Sequence, residues 1–114
     1  MSGRRGNLFA GLPVAAAAEE VFEALAAGPH VLVERIVSSG QATPPGAWLE
    51  QERDEWVVLL EGEAELSFAD GSRLGLGRGD WVLIPRGVRH RVERTRAEPP
   101  CVWLAVHAEL GGGS

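Results

Sequence analysis

Cysteine is almost absent from this sequence, and Cys101 is its single example. One cysteine excludes an intrachain disulfide, so the sequence predicts a protein of a reducing compartment, and we expect a cytoplasmic location. Long apolar runs are also absent, since no segment approaches the ~20 residues that a membrane-spanning helix needs. We therefore expect no membrane partner.

The sequence has no excess of positive charge, because 11 basic residues stand against 16 acidic ones. The formal net charge is −5 and the pI is about 5.2. Nucleic-acid binding needs a concentrated basic patch, and the arginines here are interleaved with turns and acids. The composition argues against nucleic acid as a partner.

The N-terminal part of the chain predicts a helix over about residues 15–27. Pro13 lies near its start, Gly28 can cap its end, and Pro29 prevents its continuation. An apolar stripe along this helix would pack against the rest of the protein or a partner subunit. We predict an N-terminal arm and helix over residues 1–30, one folded domain over residues 31–108, and a flexible tail over residues 109–114.

After Val31 the pattern of apolar residues changes to a period of two, which is typical of strands. Short strands and turn signals then alternate quickly, as in an antiparallel all-β sandwich or barrel. Gly62-Glu63 and Ala69-Asp70-Gly71 predict hairpin turns. The predicted strands cover residues 31–37, 56–60, 64–68, 73–76, 81–84, 88–94 and 102–107.

The segment from Gly79 to His90 reads G-D-W-V-L-I-P-R-G-V-R-H. Its apolar strand ends where Pro85 removes a backbone donor, and Gly87 permits a tight reversal. In the strand that follows, alternation predicts that His90 and Arg94 share one face. If that face points inward, the segment delivers one imidazole to the interior.

The spacing of Gly79, Pro85, Gly87 and His90 resembles the second signature motif of the cupin superfamily. The resemblance covers roughly residues 31–108 and implies an antiparallel double-stranded β-helix, also called a jelly roll. Arg94 stands where the family pattern has an asparagine.

The first motif of that family would contain a His-x-His pair, then a glutamate, then a glycine. Here Glu55 and Gly62 keep the family spacing of six residues, and Gly46 is a plausible first glycine. The two histidines are missing. A three-residue gap before Glu55 places Leu49 and Gln51 at their positions, whereas a four-residue gap places Trp48 and Glu50 there.

The resemblance implies a site in which histidines and a glutamate hold a divalent metal ion. The candidate ligands at the matching positions are His90, Glu55 and Gln51. His107 would add a second imidazole if its strand face points inward. Without a metal, His90 and Glu55 remain the candidate catalytic residues, and the ligand-binding candidates are Trp48, Gln51, Arg94 and His107.

Two classes of function stay open at this point. One is a small cupin-fold protein that binds a small polar or anionic molecule in the barrel, with Arg94 as a partner for Glu55 or for the ligand. The other is a metal-dependent enzyme of the isomerase, dioxygenase or decarboxylase type, which acts on a small sugar derivative or organic acid. A homodimer is expected, because an edge strand at residues 31–37 and the apolar helix face need cover.

Overall fold

The computed structural model describes residues 3–12 and 18–110 and contains eight strands within them. The fold is all-β and every strand pair is antiparallel, so the predicted fold class is confirmed. The strands are β1 Val21–Gly28, β2 Val31–Ser38, β3 Asp54–Glu61, β4 Ala64–Phe68, β5 Arg73–Leu76, β6 Trp81–Ile84, β7 His90–Thr95 and β8 Cys101–Ala108. Nothing in these two ranges forms a helix with the length and apolarity to cross a membrane.

The strands form two sheets that face each other. The larger sheet has the order β1-β2-β8-β3-β6 and the smaller one has the order β5-β4-β7. Alternate residues of β8 point between the sheets, so Cys101, Trp103 and Ala105 are buried there beside Leu59 and Leu66. The core therefore lies between the sheets, as expected for a jelly roll.

The predicted N-terminal helix is wrong where the structure describes it. Residues 21–28 form β1, which pairs with β2 and places Val21 opposite Val37; residues 15–17 lie outside the described range. Helix propensity is a weak local preference, and pairing along β2 satisfies a whole row of backbone groups. The sheet therefore begins ten residues earlier than expected, and β1 rather than β2 is its edge strand.

A β-bulge in β7 separates two residues that the sequence placed on one face. Leu66 of β4 pairs with Val92 and its neighbour Glu65 pairs with Arg94, so Glu93 has no partner across the sheet. One extra residue reverses the alternation of side chains. His90 is consequently buried and Arg94 is exposed, and the prediction that they share a face is wrong.

The turn at Gly62 connects the two sheets, whereas Gly71 forms the predicted hairpin between β4 and β5. Gly62 has a φ of 109°, and a Cβ atom there would lie 2.6 Å from the Sγ of Cys101. Cys101 is fully buried at the start of β8, where its thiol donates to the Glu63 carbonyl at 3.2 Å. Burial raises the pKa of this thiol, which fits a structural role.

Candidate functional site

A cavity of about 280 Å³ lies between the two sheets, beneath the segment that joins β2 to β3. Most of its wall is apolar, with contributions from strands of both sheets. Five polar side chains from four strands and the connecting segment meet on one side of it: Glu34, Gln51, Glu55, His90 and His107. The structure therefore brings together four of the residues that the sequence singled out, and it adds Glu34.

His90 reaches the cavity through the turn that the sequence predicted. β6 ends at Ile84, the amide of Val88 donates to the Pro85 carbonyl at 3.2 Å, and His90 begins β7. The Nδ1 atom of His90 lies 2.9 Å from the Val88 carbonyl oxygen. A carbonyl can only accept, so Nδ1 carries the proton and donates it. Nε2 is thus directed at Glu55, whose Oε1 lies 3.8 Å away.

Glu55 lies near the start of β3, where it faces Ile84 on one side and His107 on the other. Only 8% of the residue is exposed. Burial raises the pKa of this carboxyl, and the nearby Glu34 adds to the rise. His107, His90 and a hydrogen bond from Gln51 act in the opposite direction without cancelling it. Glu55 therefore holds its proton to a higher pH than an exposed glutamate does.

His107 is buried on the inward face of β8, in agreement with the alternation considered from the sequence. Its Nδ1 lies 3.1 Å from Oε1 of Gln51 and its Nε2 lies 2.9 Å from Oε1 of Glu34. Gln51 also hydrogen-bonds to Glu55. The four side chains form one continuous polar network along the cavity wall.

Sequence reasoning missed Glu34 as a site residue. A signal was present, because Glu34 alternates in phase with Leu32 and Ile36 on one face of β2. An acid among apolar residues on an inward face needs a partner. His107, which lies opposite Leu32 on β8 and so diagonally from Glu34, is that partner.

The structure decides between the two registers of the first motif. Leu49 pairs with His90 through two backbone hydrogen bonds of 2.7 and 3.0 Å. This pairing makes Leu49 and Gln51 cavity residues. The three-residue gap is therefore the correct alignment, and the missing histidines are replaced by an apolar side chain and an amide.

Trp48 and Glu50, the residues of the other register, face away from the cavity. Both contact Arg89, whose guanidinium lies 5.7 Å from the Trp48 ring centroid and 3.8 Å from a Glu50 carboxylate oxygen. Trp48 is 37% exposed and is not part of the cavity wall. The expected role of Trp48 in ligand binding therefore has no support from its position.

A guanidinium holds the wall of the cavity in place from outside. Arg91 donates to the backbone carbonyls of Thr43, Pro44 and Ala47 at 3.0 to 3.1 Å. Thr43 also exchanges backbone and side-chain hydrogen bonds with Val92. The segment between β2 and β3 is therefore tied along β7 as a fixed wall.

The arrangement does not fit the metal site that the cupin motifs imply. His90 and Glu55 each direct one possible ligand atom into the cavity. The Oε1 atom of Gln51, however, contacts Nδ1 of His107, and Nε2 of His107 contacts Glu34. Over residues 3–12 and 18–110, no group of three or more His, Cys, Asp and Glu side chains is placed to hold a metal ion.

Acidic side chains outnumber basic ones in the cavity wall. Three carboxyl groups line it, from Glu20, Glu34 and Glu55, beside two imidazoles, and no arginine from the described part of the chain does. Arg94, the expected cation, is exposed at the other end of β7. An anion inside the cavity would lack a permanently charged partner.

Comparisons with known proteins agree with this fold. A family model described as the cupin domain matches residues 36–107, and no curated protein matches the chain. A Ralstonia eutropha protein provisionally named a mannose-6-phosphate isomerase is 41% identical, with a TM-score of 0.89 over 94% of this chain and 99% of that one.

Two more distant structures show the same fold. A cupin superfamily protein from Desulfitobacterium hafniense is 20% identical, with a TM-score of 0.75 over 96% of this chain and 94% of that one. A cupin protein with a double-stranded β-helix from Methanocaldococcus jannaschii is 21% identical, with a TM-score of 0.66 over 82% and 83% of the two chains. Together with the two motifs and the cavity, these matches show that the chain belongs to the cupin family.

Proposed function

We propose that the protein binds a small, hydroxylated and uncharged molecule in the cavity between its sheets. The observation that carries this proposal is the meeting of Glu55, His90 and the Gln51–His107–Glu34 network on one side of an apolar cavity. Small-molecule sites combine a mainly apolar wall with a few polar groups that fix orientation. The volume of about 280 Å³ lies at the lower end of the roughly 300–1,000 Å³ of such sites, so a ligand of one sugar ring is the expected size.

The charge of the wall favours an uncharged ligand over the anionic one that the sequence also allowed. The Glu34 carboxylate would repel an anion, and the two imidazoles already face the carboxyl groups of Glu34 and Glu55. Arg94, which was the expected partner for an anion, lies outside the cavity. A sugar is therefore a better candidate than a sugar phosphate.

Each polar group has a role that its chemistry supports. Burial raises the pKa of the Glu55 carboxyl, and in its protonated form Glu55 can donate to a ligand oxygen. The Nε2 atom of His90 can accept from a ligand hydroxyl, because Nδ1 carries the proton. His107 and Gln51 position Glu55 through the network.

Nuclear magnetic resonance titration tests this proposal. The probes are neutral hexoses and hexitols, each paired with its phosphorylated form. Saturable shifts are expected for cavity amides such as Val57 and Leu66 with at least one neutral probe. Glu55→Ala should weaken that binding several-fold, by about 1 kcal/mol for one hydrogen bond, whereas Glu63→Ala at the surface should not. Shifts with phosphorylated probes alone, or with none, would contradict the proposal.

A second candidate function is proton transfer on a bound carbonyl compound. The observation that favours it is the 3.8 Å approach of His90 Nε2 to a carboxyl whose pKa is raised by burial. His90 would remove a proton from the hydroxyl-bearing carbon next to a carbonyl group while Glu55 gives its proton to the carbonyl oxygen, which forms an enediol. His90 then returns the proton to the former carbonyl carbon while Glu55 takes the proton of the neighbouring hydroxyl, which completes the isomerisation and restores both residues. The name of the Ralstonia relative points to the same class of reaction.

Isotope exchange distinguishes this reaction from simple binding. Mannose is incubated with the protein in deuterium oxide, and deuterium at the carbon next to the carbonyl is measured by nuclear magnetic resonance. Exchange above the protein-free rate should be lost in His90→Gln and Glu55→Gln and kept in Arg94→Gln. Equal rates in all four proteins would exclude catalysis on this sugar.

The metal-dependent enzyme remains the alternative, with His90, Glu55 and Gln51 as the ligands. A histidine that donates Nδ1–H to a carbonyl is the orientation of many metal-ligating histidines, which is the observation in its favour. Elemental analysis of untagged protein tests it. We expect metal well below one ion per chain; one ion per chain that disappears in His90→Ala and Glu55→Gln would establish the alternative.

The expected homodimer is also a proposal. It is supported by large exposed apolar side chains on both edge strands of the five-stranded sheet, Val21 and Phe22 on β1 and Trp81 on β6. Edge strands with apolar side chains tend to be covered by a partner. Light scattering after size exclusion should give twice the chain mass, and a monomer mass would contradict the proposal.

A further inference from the structure

A second concave site lies at the end of the molecule where β3 leads into β4. This arginine groove, of about 530 Å³, is bordered by Arg78, Arg94 and Arg96. Gly75 and Gly77 contribute backbone without side chains to its wall. The groove shares no lining residue with the cavity between the sheets.

Two of the three guanidinium groups have no carboxylate partner. Arg96 forms an ion pair with Glu63, whereas the side chains of Arg78 and Arg94 form no hydrogen bond or ion pair with any residue of the described ranges. Glu65, which faces Arg94 across the sheet, lies 3.8 Å from Arg73 instead. Two guanidinium groups without a carboxylate partner therefore share this groove, whose wall also carries the carboxyl groups of Glu61 and Glu63.

The backbone keeps this groove open. The bulge at Glu93 turns Arg94 outward and toward the groove. A Cβ atom at Gly75 would meet no other atom within 4 Å, so the absence of a side chain leaves free space beside the arginines. Gly75 does not have a positive φ, and its backbone would accept other residues without strain.

We propose that the arginine groove binds a small oxyanion, as a phosphate or carboxylate group, with Arg78 and Arg94 as its charged donors. A guanidinium offers parallel N–H groups that match the oxygens of such an anion. The apolar contacts that an organic ligand uses in the cavity are scarce here, so charge supplies the recognition. The proposal does not depend on the function proposed for the cavity.

Titration with inorganic phosphate, followed by amide resonances at constant ionic strength, tests this proposal. Saturable shifts are expected at Gly75 and Gly77. Arg94→Gln and Arg78→Gln should each weaken binding about threefold to fivefold, which is the upper part of the range for one exposed charge pair. Arg86→Gln is the matched control, because Arg86 is an exposed arginine paired with Glu109 elsewhere on the surface.

A steric variant separates the groove from general electrostatics. Gly75→Val keeps all the arginines and fills the free space, so phosphate shifts at Gly77 should become weak while the folded spectrum is preserved. A parallel titration with acetate tests the carboxylate form of the ligand. Shifts that rise linearly with both anions as they do with chloride, or binding unchanged in Arg94→Gln and Gly75→Val, would overturn the proposal.

Discussion

The cavity and the arginine groove are built on the same two strands and have opposite chemistry. β3 contributes Glu55 to the cavity and Glu61 to the groove, and β7 contributes His90 and Arg94 in the same order. The cavity is the less open of the two and has carboxyl groups but no guanidinium group among the described residues, whereas the groove has three guanidinium groups beside the carboxyl groups of Glu61 and Glu63. The acids and imidazoles of the cavity are paired with one another, but two groove arginines have no partner in the described part of the chain.

The difference arises from irregularities of the strands between the two sites. β7 has its bulge at Glu93, and the register of β3 against β8 shifts between Leu59 and Glu61. Each irregularity breaks the inward and outward alternation part-way along the strand. Strict alternation would have placed a permanent positive charge on the face of His90. The bulge in β7 keeps that charge outside.

The largest effect is expected from a change at the groove end of the molecule. In Gly62→Ala the new Cβ would lie 2.6 Å from the Cys101 Sγ and 2.9 Å from its Cα, at a φ of 109°. The clash involves backbone, so we expect a loss of about 3 kcal/mol or more in the free energy of unfolding. Chemical denaturation measures it.

Gly71→Ala is the matched control for this change. Gly71 also has a positive φ, 92°, but nothing lies within 4 Å of an added Cβ. A loss of about 1 kcal/mol is expected from the backbone conformation alone. Equal losses at the two glycines would mean that contact with Cys101 does not govern the turn.

The next largest effect is the loss of stability when a paired acid is removed, and we expect this loss to be greater in the cavity than at the groove. Glu34→Ala removes a carboxylate whose side chain is 14% exposed and leaves His107 buried without this partner. The expected loss is about 1–3 kcal/mol. Glu63→Ala removes a groove carboxylate that is 52% exposed, and this change should cost about 0.5 kcal/mol or less. Thermal or chemical unfolding of both variants measures the two losses in stability. A larger loss in Glu63→Ala than in Glu34→Ala would contradict the prediction.

The smallest expected effect is the change with pH in the stability of a Glu55 variant relative to wild type. Because burial raises the pKa of Glu55 above its ordinary value of 4.5, ionisation costs more free energy in the folded protein than in the unfolded chain. The stabilising contribution of protonated Glu55 to the wild-type protein is complete below pH 4.5 and is lost as the pH rises through the raised pKa. Glu55→Gln avoids that loss, so its stability relative to wild type should increase between about pH 4 and about pH 7. A relative stability that decreases over this range would contradict the raised pKa.

The sequence predicted the all-β fold and the turns that place His90 and Glu55 better than it predicted strand β1 and the bulge in β7. Pro85, Gly87 and His90 act through local backbone geometry, so their spacing alone placed one imidazole in the cavity. The six residues from Glu55 to Gly62 likewise kept Glu55 inward. The helix prediction over residues 15–27 was wrong along β1, because pairing with the next strand, β2, overrode an alanine-rich local preference.

The site could be predicted only in part for a similar reason. The position of Arg94 depends on a bulge, which has no clear signature in the residues around Glu93. The partner of His107 is Glu34, and the two residues are brought together by the pairing of β2 with β8. Contacts of this kind are set by the topology of the sheet and not by spacing along the chain.

The central claim is that the cavity accepts an uncharged hydroxylated molecule through Glu55 and His90. The most direct measurement is a crystal structure obtained in the presence of a neutral hexose and inorganic phosphate, with anomalous data collected at metal absorption edges. We expect sugar density within hydrogen-bonding distance of Glu55 and His90, and phosphate beside Arg78 and Arg94. An anomalous peak coordinated by His90 and Glu55, or phosphate inside the cavity, would contradict it.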